Sequence, residues 1–140
     1  MKNHGSYFEY EHQRNRELIK AFREEMAMAK FIRRDEVLAK TVNHPTSRFW
    51  VSEHRAAIVM ANMLRGDDLA NMRPHKREMF HEIFRRFLKL KSKHPDFSIY
   101  RLASLAVNQP APKFYLTPGS AKVIICKIRS AWYDKRLLKY

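Results

Sequence analysis

The sequence repeats itself at a fixed offset of 65 residues, and this repeat limits the folds that the chain can adopt. Residues 42–52 (VNHPTSRFWVS) align without gaps on residues 107–117 (VNQPAPKFYLT), with four identities and several changes that keep charge, aromaticity or shape. The same register holds upstream, where residues 17–22 align on residues 82–87. This period is longer than the ~20–50 residues of a solenoid unit. We therefore predict a single module that is duplicated within a pseudo-symmetric fold.

The composition favours an all-α fold. Hydrophobic residues make up 45% of the 140 residues and aromatic residues 12%, which argues against intrinsic disorder. Only 3 glycines and 6 prolines are present, too few for the many turns of an all-β fold. Since a module of about 60 residues buries little surface alone, we expect the two modules to share one core. The sequence leaves open whether they form separate domains or one interleaved fold.

Helical periodicity predicts three helices in each module. In the first module, apolar residues recur at helical spacing within about 10–31, 35–42 and 52–64. The second module repeats this order, and its first helix has the clearest amphipathic pattern. The predicted organisation is a polar tail at 1–9, a first three-helix module at 10–66, a linker at 67–74, a second three-helix module at 75–131 and a basic C-terminal extension at 132–140.

Residues at the ends of these segments predict where the helices begin and end. Asp35, Ser52 and Thr117 each lie at the start of a helical segment, and their side chains are suited to cap a helix N-terminus. Gly66 is suited to end the third helix. We expect Asn43 to close the second helix in a left-handed conformation, because the proline two residues later cannot continue the helix.

Positive charge is concentrated in the second half of the chain. The net charge is +14, of which residues 1–70 contribute +2 and residues 71–140 contribute +12. A field of this strength on one half attracts a polyanion such as a nucleic acid. The charge therefore predicts a nucleic-acid partner, with the contact mainly on the second module.

The single cysteine and the lack of long apolar stretches indicate the cellular location of the protein. Cys126 lies in the apolar run 123–126, so we expect it to be buried, and a chain without disulfides fits a reducing compartment. The first residues lack the apolar stretch of a signal peptide, and no run approaches the ~18 apolar residues of a membrane-spanning helix. The sequence therefore predicts a cytoplasmic protein with no membrane partner.

Motifs of catalysis, metal binding and cofactor binding are absent from the sequence. The seven histidines include no HExxH motif and no pair at i, i+4 spacing. The lone cysteine lacks a partner motif for nucleophilic catalysis, and no glycine-rich phosphate loop occurs. We predict that the protein is not an enzyme and has neither a metal site nor a cofactor.

The order helix, helix, connector, helix resembles the topology of helix-turn-helix DNA-binding domains. The resemblance is to topology only, because the connector 44–51 has eight residues, against ~3–4 in a standard turn. In the first module, residues 56–61 are apolar on every side, so we expect them to be buried rather than to contact bases. This comparison also assigns the contact to the second module.

The third helix of the second module carries cations where the first module has an alanine, an asparagine and a leucine. Lys122 and Arg129 are spaced i, i+7 and share a helix face that continues to Arg136. Such a stripe would contact phosphates, although the same pattern also fits an ordinary solvated face. The predicted contacts on this helix are Lys122, Lys127, Arg129 and Arg136.

Two further groups of residues are candidates for the same interface. If the repeated connectors are extended, Phe49 and Phe114 face the core, and a cation beside an aromatic ring is left on the other face, suited to a phosphate and a base. The alternative is that these aromatic rings fill the core. The predicted connector contacts are Arg48, Trp50, Lys113 and Tyr115, and the predicted contacts on the first helix of the second module are Arg85 and Arg86, extended by Lys89, Lys91 and Lys93.

These features together predict a small basic protein that binds nucleic acid. Double-stranded DNA is favoured over RNA because no RNA-binding signature is present, and a regulatory or mobile-element role would fit. The alternative is a helical module for protein interaction, whose apolar third helix and aromatic connector dock a partner. The sequence leaves open whether the chain forms a homodimer.

Overall fold

The computed structural model describes the backbone of residues 4–138 and the side chains of residues 10–131. Over this range the chain forms helices and no strand, so the predicted all-α class is confirmed. None of the described helices combines the length and the apolar character needed to cross a bilayer. The helices are α1 (His4–Met28), α2 (Arg34–Val42), α3 (Glu53–Leu64), α4 (Pro74–Lys93), α5 (Ile99–Val107) and α6 (Pro118–Leu138).

Three of the predicted helix ends are confirmed. The Ser52 hydroxyl accepts a hydrogen bond from the Arg55 N–H at 3.1 Å and caps the start of α3. The Thr117 hydroxyl accepts one from the Ser120 N–H at 3.1 Å at the start of α6. Gly66 follows α3 with a φ of +102°, a left-handed conformation that glycine adopts at low cost. These ends are local features, which explains why the sequence predicts them well.

Two predicted helix ends are wrong. α2 begins at Arg34, with Arg33 in the N-cap position, so Asp35 lies in the first turn and does not cap the helix. Its carboxylate there still interacts favourably with the helix dipole. Asn43 has a φ of −91° and is not left-handed, and its side-chain amide instead donates to the Ala39 carbonyl at 3.0 Å. The backbone N–H groups of Asn43 and His44 also donate to the Lys40 and Thr41 carbonyls, so α2 ends without a left-handed residue.

The ends of the chain are more helical than predicted. α1 begins at His4, so most of the predicted polar tail is helical backbone. α6 continues to Leu138 and includes most of the predicted C-terminal extension. Arg136 belongs to this last part of α6, but its side chain lies outside the described residues.

The two repeated connectors cross and bind each other through their backbones. We call residues 43–52, between α2 and α3, the first connector, and residues 108–117, between α5 and α6, the second connector. Thr46 and Ala111, which the 65-residue offset aligns, exchange both of their backbone hydrogen bonds at 2.9 Å in an antiparallel bridge. A second pair of aligned bonds joins each connector to the end of the other module's second helix: Phe49 N–H to the Val107 carbonyl and Phe114 N–H to the Val42 carbonyl, both at 2.9 Å.

The crossing sends each third helix to the opposite module. α3 packs against α5 and α4, while α6 packs against α2 and α1. We call the first group of helices the α4 unit (α3, α4 and α5) and the second the α1 unit (α1, α2 and α6). The first two helices of each module still pack together, but each third helix packs on the other module, so the packing is interleaved. The duplication of the sequence is an inference from the alignment and stays a prediction.

Each unit has its own cluster of buried residues in place of the single shared core that we expected. The cluster of the α4 unit is built on Phe80, Ile83 and Phe87 of α4, and that of the α1 unit on Leu18 and Phe22 of α1. Both clusters contain side chains from both modules, because each unit receives its third helix from the other module. The two modules therefore share both cores, because they exchange their third helices.

The connectors lie between the two units, and the cores cover both of their faces. Phe49 and Tyr115 belong to the core of the α4 unit and stack with their ring centroids 5.9 Å apart. Trp50 and Phe114 belong to the core of the α1 unit and stack at 6.3 Å. The prediction that Trp50 and Tyr115 face away from the core is therefore wrong. Neighbouring side chains point into two different cores instead of alternating between core and solvent.

Candidate nucleic-acid interface

Arg48 is held inside the protein by the first connector itself. Its Nε donates to the Phe49 carbonyl at 2.9 Å and its Nη2 to the Val51 carbonyl at 2.6 Å, while Nη1 lies 3.5 Å from the Glu53 carboxylate. The guanidinium also lies over the Tyr10 ring, 5.4 Å from its centroid. Burial lowers the pKa of Arg48, although Glu53 opposes this shift. These contacts give Arg48 a structural role in fixing the connector.

The two connector aromatics predicted to stack on bases are both buried. Trp50 is 9% exposed and packs against Tyr10 and Phe114, and its indole N–H has no hydrogen-bond partner among the described residues. Tyr115 is 7% exposed, and burial raises its pKa to about 12. Neither ring is accessible to a base in this structure, so a stacking platform on the connectors is not supported.

Lys113 is paired with an acidic side chain of α4. Its ammonium forms an ion pair with the Glu78 carboxylate and lies 5.3 Å from the centroid of the Tyr115 ring. The side chain is 32% exposed, so it is accessible to solvent in part. A phosphate at this position would compete with Glu78 for the same cation.

Arg85 and Arg86 of α4 share one carboxylate. Arg85 donates to both oxygens of Glu82, at 3.1 and 2.6 Å, and Arg86 Nε donates to the same carboxylate at 2.8 Å. The hydrogen bond from Arg85 is the main reason why the pKa of Glu82 lies below its usual value. Arg86 also donates to the Pro110 carbonyl and lies over the Phe49 ring, 4.9 Å from its centroid. Arg86 is therefore held by three groups, whereas Arg85, which is 55% exposed, is oriented by Glu82.

Beside these arginines is a basic groove of about 280 Å³ between α4 and the second connector. Lys89 and Lys93 follow Arg85 at successive i, i+4 steps, so the three cations share one face of α4. Gln109 contributes the connector side of the groove, a contribution for which the sequence offered no signal. We call this site the α4 groove, and its lining residues are Arg85, Arg86, Lys89, Leu90, Lys93 and Gln109, none of them acidic.

The cations predicted on α6 are exposed on its surface. Lys122, Lys127 and Arg129 are all exposed, and among residues 10–131 no acidic side chain lies within ion-pair distance of them. Lys127 lines a separate groove between α6 and α1, so it lies apart from the face that Lys122 and Arg129 share. Of the predicted stripe, Lys122 and Arg129 therefore lie on one exposed face of α6 within the described residues.

Two predictions of burial on the third helices are wrong. Cys126 is exposed, because α6 buries a narrow face that contains Ala121 and Ile125. In α3, Val59 is buried as expected but Ile58 is 42% exposed. Each third helix packs through one side only, although its sequence is apolar around much of its circumference.

The predicted contact residues of α4 and α6 lie on two separate surfaces. The α4 groove belongs to the α4 unit, and the cations of α6 belong to the α1 unit. α4 and α6 do not contact each other within the described residues. The connectors, which the sequence placed in the interface, instead lie between the units and stabilise their crossing. The fold therefore divides the predicted site into a structural part and two exposed basic parts.

Comparison with known proteins adds no functional assignment. No protein-family model, curated protein or solved structure matches this chain. Among the described residues, no group of three or more His, Cys, Asp and Glu side chains is arranged to hold a metal ion.

Proposed function

We propose that the protein binds double-stranded nucleic acid, with DNA as the preferred ligand, through the basic surfaces of its second half. The observation that carries the proposal is the exposure of Lys122 and Arg129 on α6 without an acidic partner among the described residues. Unpaired cations on one helix face are suited to contact successive phosphates and to release the counterions bound there.

The buried connectors support a duplex over a single strand as the ligand. Proteins that bind single strands without sequence preference present aromatic rings on which bases stack. Trp50 and Tyr115 were the candidates for this role, and both lie in the cores. Contacts to a phosphate backbone need only exposed cations, which α4 and α6 provide. We therefore propose binding that depends on backbone and shape more than on base edges.

The test is fluorescence-anisotropy binding to a labelled random duplex between about 50 and 300 mM salt, with single-stranded DNA and RNA as comparison ligands. The double variant Lys122→Ala/Arg129→Ala should weaken duplex binding and reduce the salt slope by about 2, because each phosphate contact contributes about 0.9. The matched control is Arg55→Ala/Arg65→Ala, which removes one exposed cation from α3, the aligned helix of the other unit, and one from the residue that directly follows α3.

The comparison of the two double variants decides the proposal. Both lower the net charge by the same amount, so a general charge effect would weaken binding equally in both. A larger loss for the α6 variant supports the proposal. Equal losses, or no duplex binding by the unmodified protein at low salt, would contradict it.

A second candidate function is association with another protein chain, favoured by an apolar loop between α1 and α2. Phe31 is 85% exposed and Ile32 65% exposed. In the aligned loop of the α4 unit, Phe97 is instead covered by His94, with ring centroids 4.3 Å apart, and by Arg101 at 3.7 Å. If this loop joins two copies, Phe31→Ser/Ile32→Ser should convert a dimer to a monomer in sedimentation analysis. A monomeric unmodified protein would exclude this arrangement.

A further inference from the structure

The positions of the α1 unit that align with the α4 groove differ from it in charge. In the α1 unit, His44 of the first connector lies 2.6 Å from the Glu25 carboxylate and 3.9 Å from that of Glu24. The 65-residue offset aligns His44 with Gln109 of the α4 groove. In the α1 unit, the connector residue at this position therefore pairs with carboxylates of α1.

The aligned positions in the α4 unit lack these carboxylates. Lys89 aligns with Glu24 and Leu90 with Glu25, so a cation and an apolar side chain replace two acids. Lys93 adds a further cation at the same face of α4. Among residues 10–131, neither Lys89 nor Lys93 lies within ion-pair distance of an acidic side chain. Beside the α4 groove, Glu82 pairs with Arg85 and Arg86, whereas no acidic side chain among residues 10–131 pairs with the two lysines.

Contacts within the protein orient both arginines of the α4 groove, and they hold Arg86 more firmly than Arg85. Glu82 holds both guanidinium groups, and Arg86 is also held by the Pro110 carbonyl and the Phe49 ring. A guanidinium has five N–H donors, so these contacts leave donors on each arginine for a ligand. Because the side chains are already ordered, less conformational entropy is lost when a ligand binds.

We propose that the α4 groove binds a phosphate group, and that in the bound state this phosphate belongs to the nucleic-acid backbone. The ligand must be an anion with several acceptor oxygens, because the groove offers two arginines and two lysines and has no acidic lining. Its volume of about 280 Å³ lies near the lower end of ligand pockets, about 300–1,000 Å³, so the groove has room for a phosphate group. The assignment to nucleic acid rests on the proposed function, whereas the assignment to phosphate does not.

The first test compares two charge reversals on the same helix. Lys89→Glu places an acid in the groove, whereas Lys91→Glu makes the same change at an exposed position that does not line it. Both variants lower the net charge equally, and circular dichroism checks that both keep their helices. We expect Lys89→Glu to weaken duplex binding about tenfold more than Lys91→Glu at about 100 mM salt. Equal effects of the two variants would overturn the proposal.

The second test detects the phosphate directly, and its main readout uses the unmodified protein. The Arg85 and Arg86 Nε–H signals are followed by ¹H–¹⁵N NMR of the unmodified protein during titration with inorganic pyrophosphate. We expect these two signals to shift in a saturable manner, and Lys89→Glu to abolish the shift while Lys91→Glu keeps it. Unchanged Arg85 and Arg86 signals would overturn the proposal.

The two tests separate the failure of this proposal from the failure of the proposed function. Duplex binding with equal effects of Lys89→Glu and Lys91→Glu would overturn the groove and leave nucleic-acid binding intact. Saturable pyrophosphate shifts without duplex binding would support a phosphate site, identify a free phosphate compound as its ligand and reject the nucleic-acid function. Weakening specific to Lys89→Glu, together with the shifts, supports both proposals.

Discussion

Truncation of Phe49 to alanine should destabilise the protein by about 3–5 kcal/mol, the cost of removing a phenylalanine from a packed core. Phe49 is fully buried, stacks on Tyr115 at 5.9 Å and lies under Arg86 at 4.9 Å. The lost ring contacts are part of this range, because truncation energies already include them. A domain of this size is stable by about 5–15 kcal/mol, so the loss is readily measured by urea unfolding followed by circular dichroism. Phe49→Leu, which keeps a large apolar side chain, should cost clearly less.

The location of the damage tests the exchange of helices. Phe49 belongs to the first module in sequence but to the core of the α4 unit. Hydrogen exchange should therefore accelerate most in α4 and α5 for Phe49→Ala. It should accelerate most in α1 and α2 for Phe114→Ala, which removes a ring from the core of the α1 unit. The reverse pattern would refute the interleaved packing. A loss below about 1.5 kcal/mol for Phe49→Ala would refute its burial.

Two further predictions concern the buried connector aromatics. In a Trp132→Phe background, Trp50 should show blue-shifted fluorescence emission that duplex DNA leaves unchanged, because its ring is buried. The variant Trp50→Phe should retain its affinity for duplex DNA. A loss of affinity with unchanged stability would show that Trp50 belongs to the interface. Burial raises the pKa of Tyr115 to about 12, against about 10 in the unfolded chain. The protonated Tyr115 side chain therefore contributes to stability in full below about pH 10, and this contribution is lost as the pH rises toward about 12. Urea unfolding between about pH 9 and pH 11 should show a decline in stability that is smaller in Tyr115→Phe, and equal declines would contradict the assignment.

The sequence predicted the helices because their signals are local. Ser52 and Thr117 cap helices as predicted, and Gly66 ends α3. At the start of α2, Arg33 occupies the N-cap position that was predicted for Asp35. At its end, Asn43 forms a side-chain hydrogen bond and does not adopt the predicted left-handed backbone. Such competition within one turn is decided by small energy differences, so helix positions are more predictable than helix ends.

The candidate site was predictable only in part. Lys122 and Arg129 are exposed as a shared helix face implies, because one side of a packed helix must remain in solvent. Trp50 and Tyr115 were misassigned because an extended segment was expected to have one core face and one solvent face. The α4 groove needs Gln109, which comes from a connector distant in sequence from α4. Contacts of that kind are not encoded in local periodicity.

The amino-acid sequence by itself determined the helical class of this protein, most helix positions, the alignment of its two halves and the concentration of charge in the second half. Each of these depends on residue type and on neighbours within a few positions. Only the tertiary structure decided that α3 and α6 exchange partners, because this follows from the connectors crossing at Thr46 and Ala111. That crossing covers both faces of the connectors, removes their aromatic rings from solvent and leaves α4 and α6 as the exposed basic surfaces.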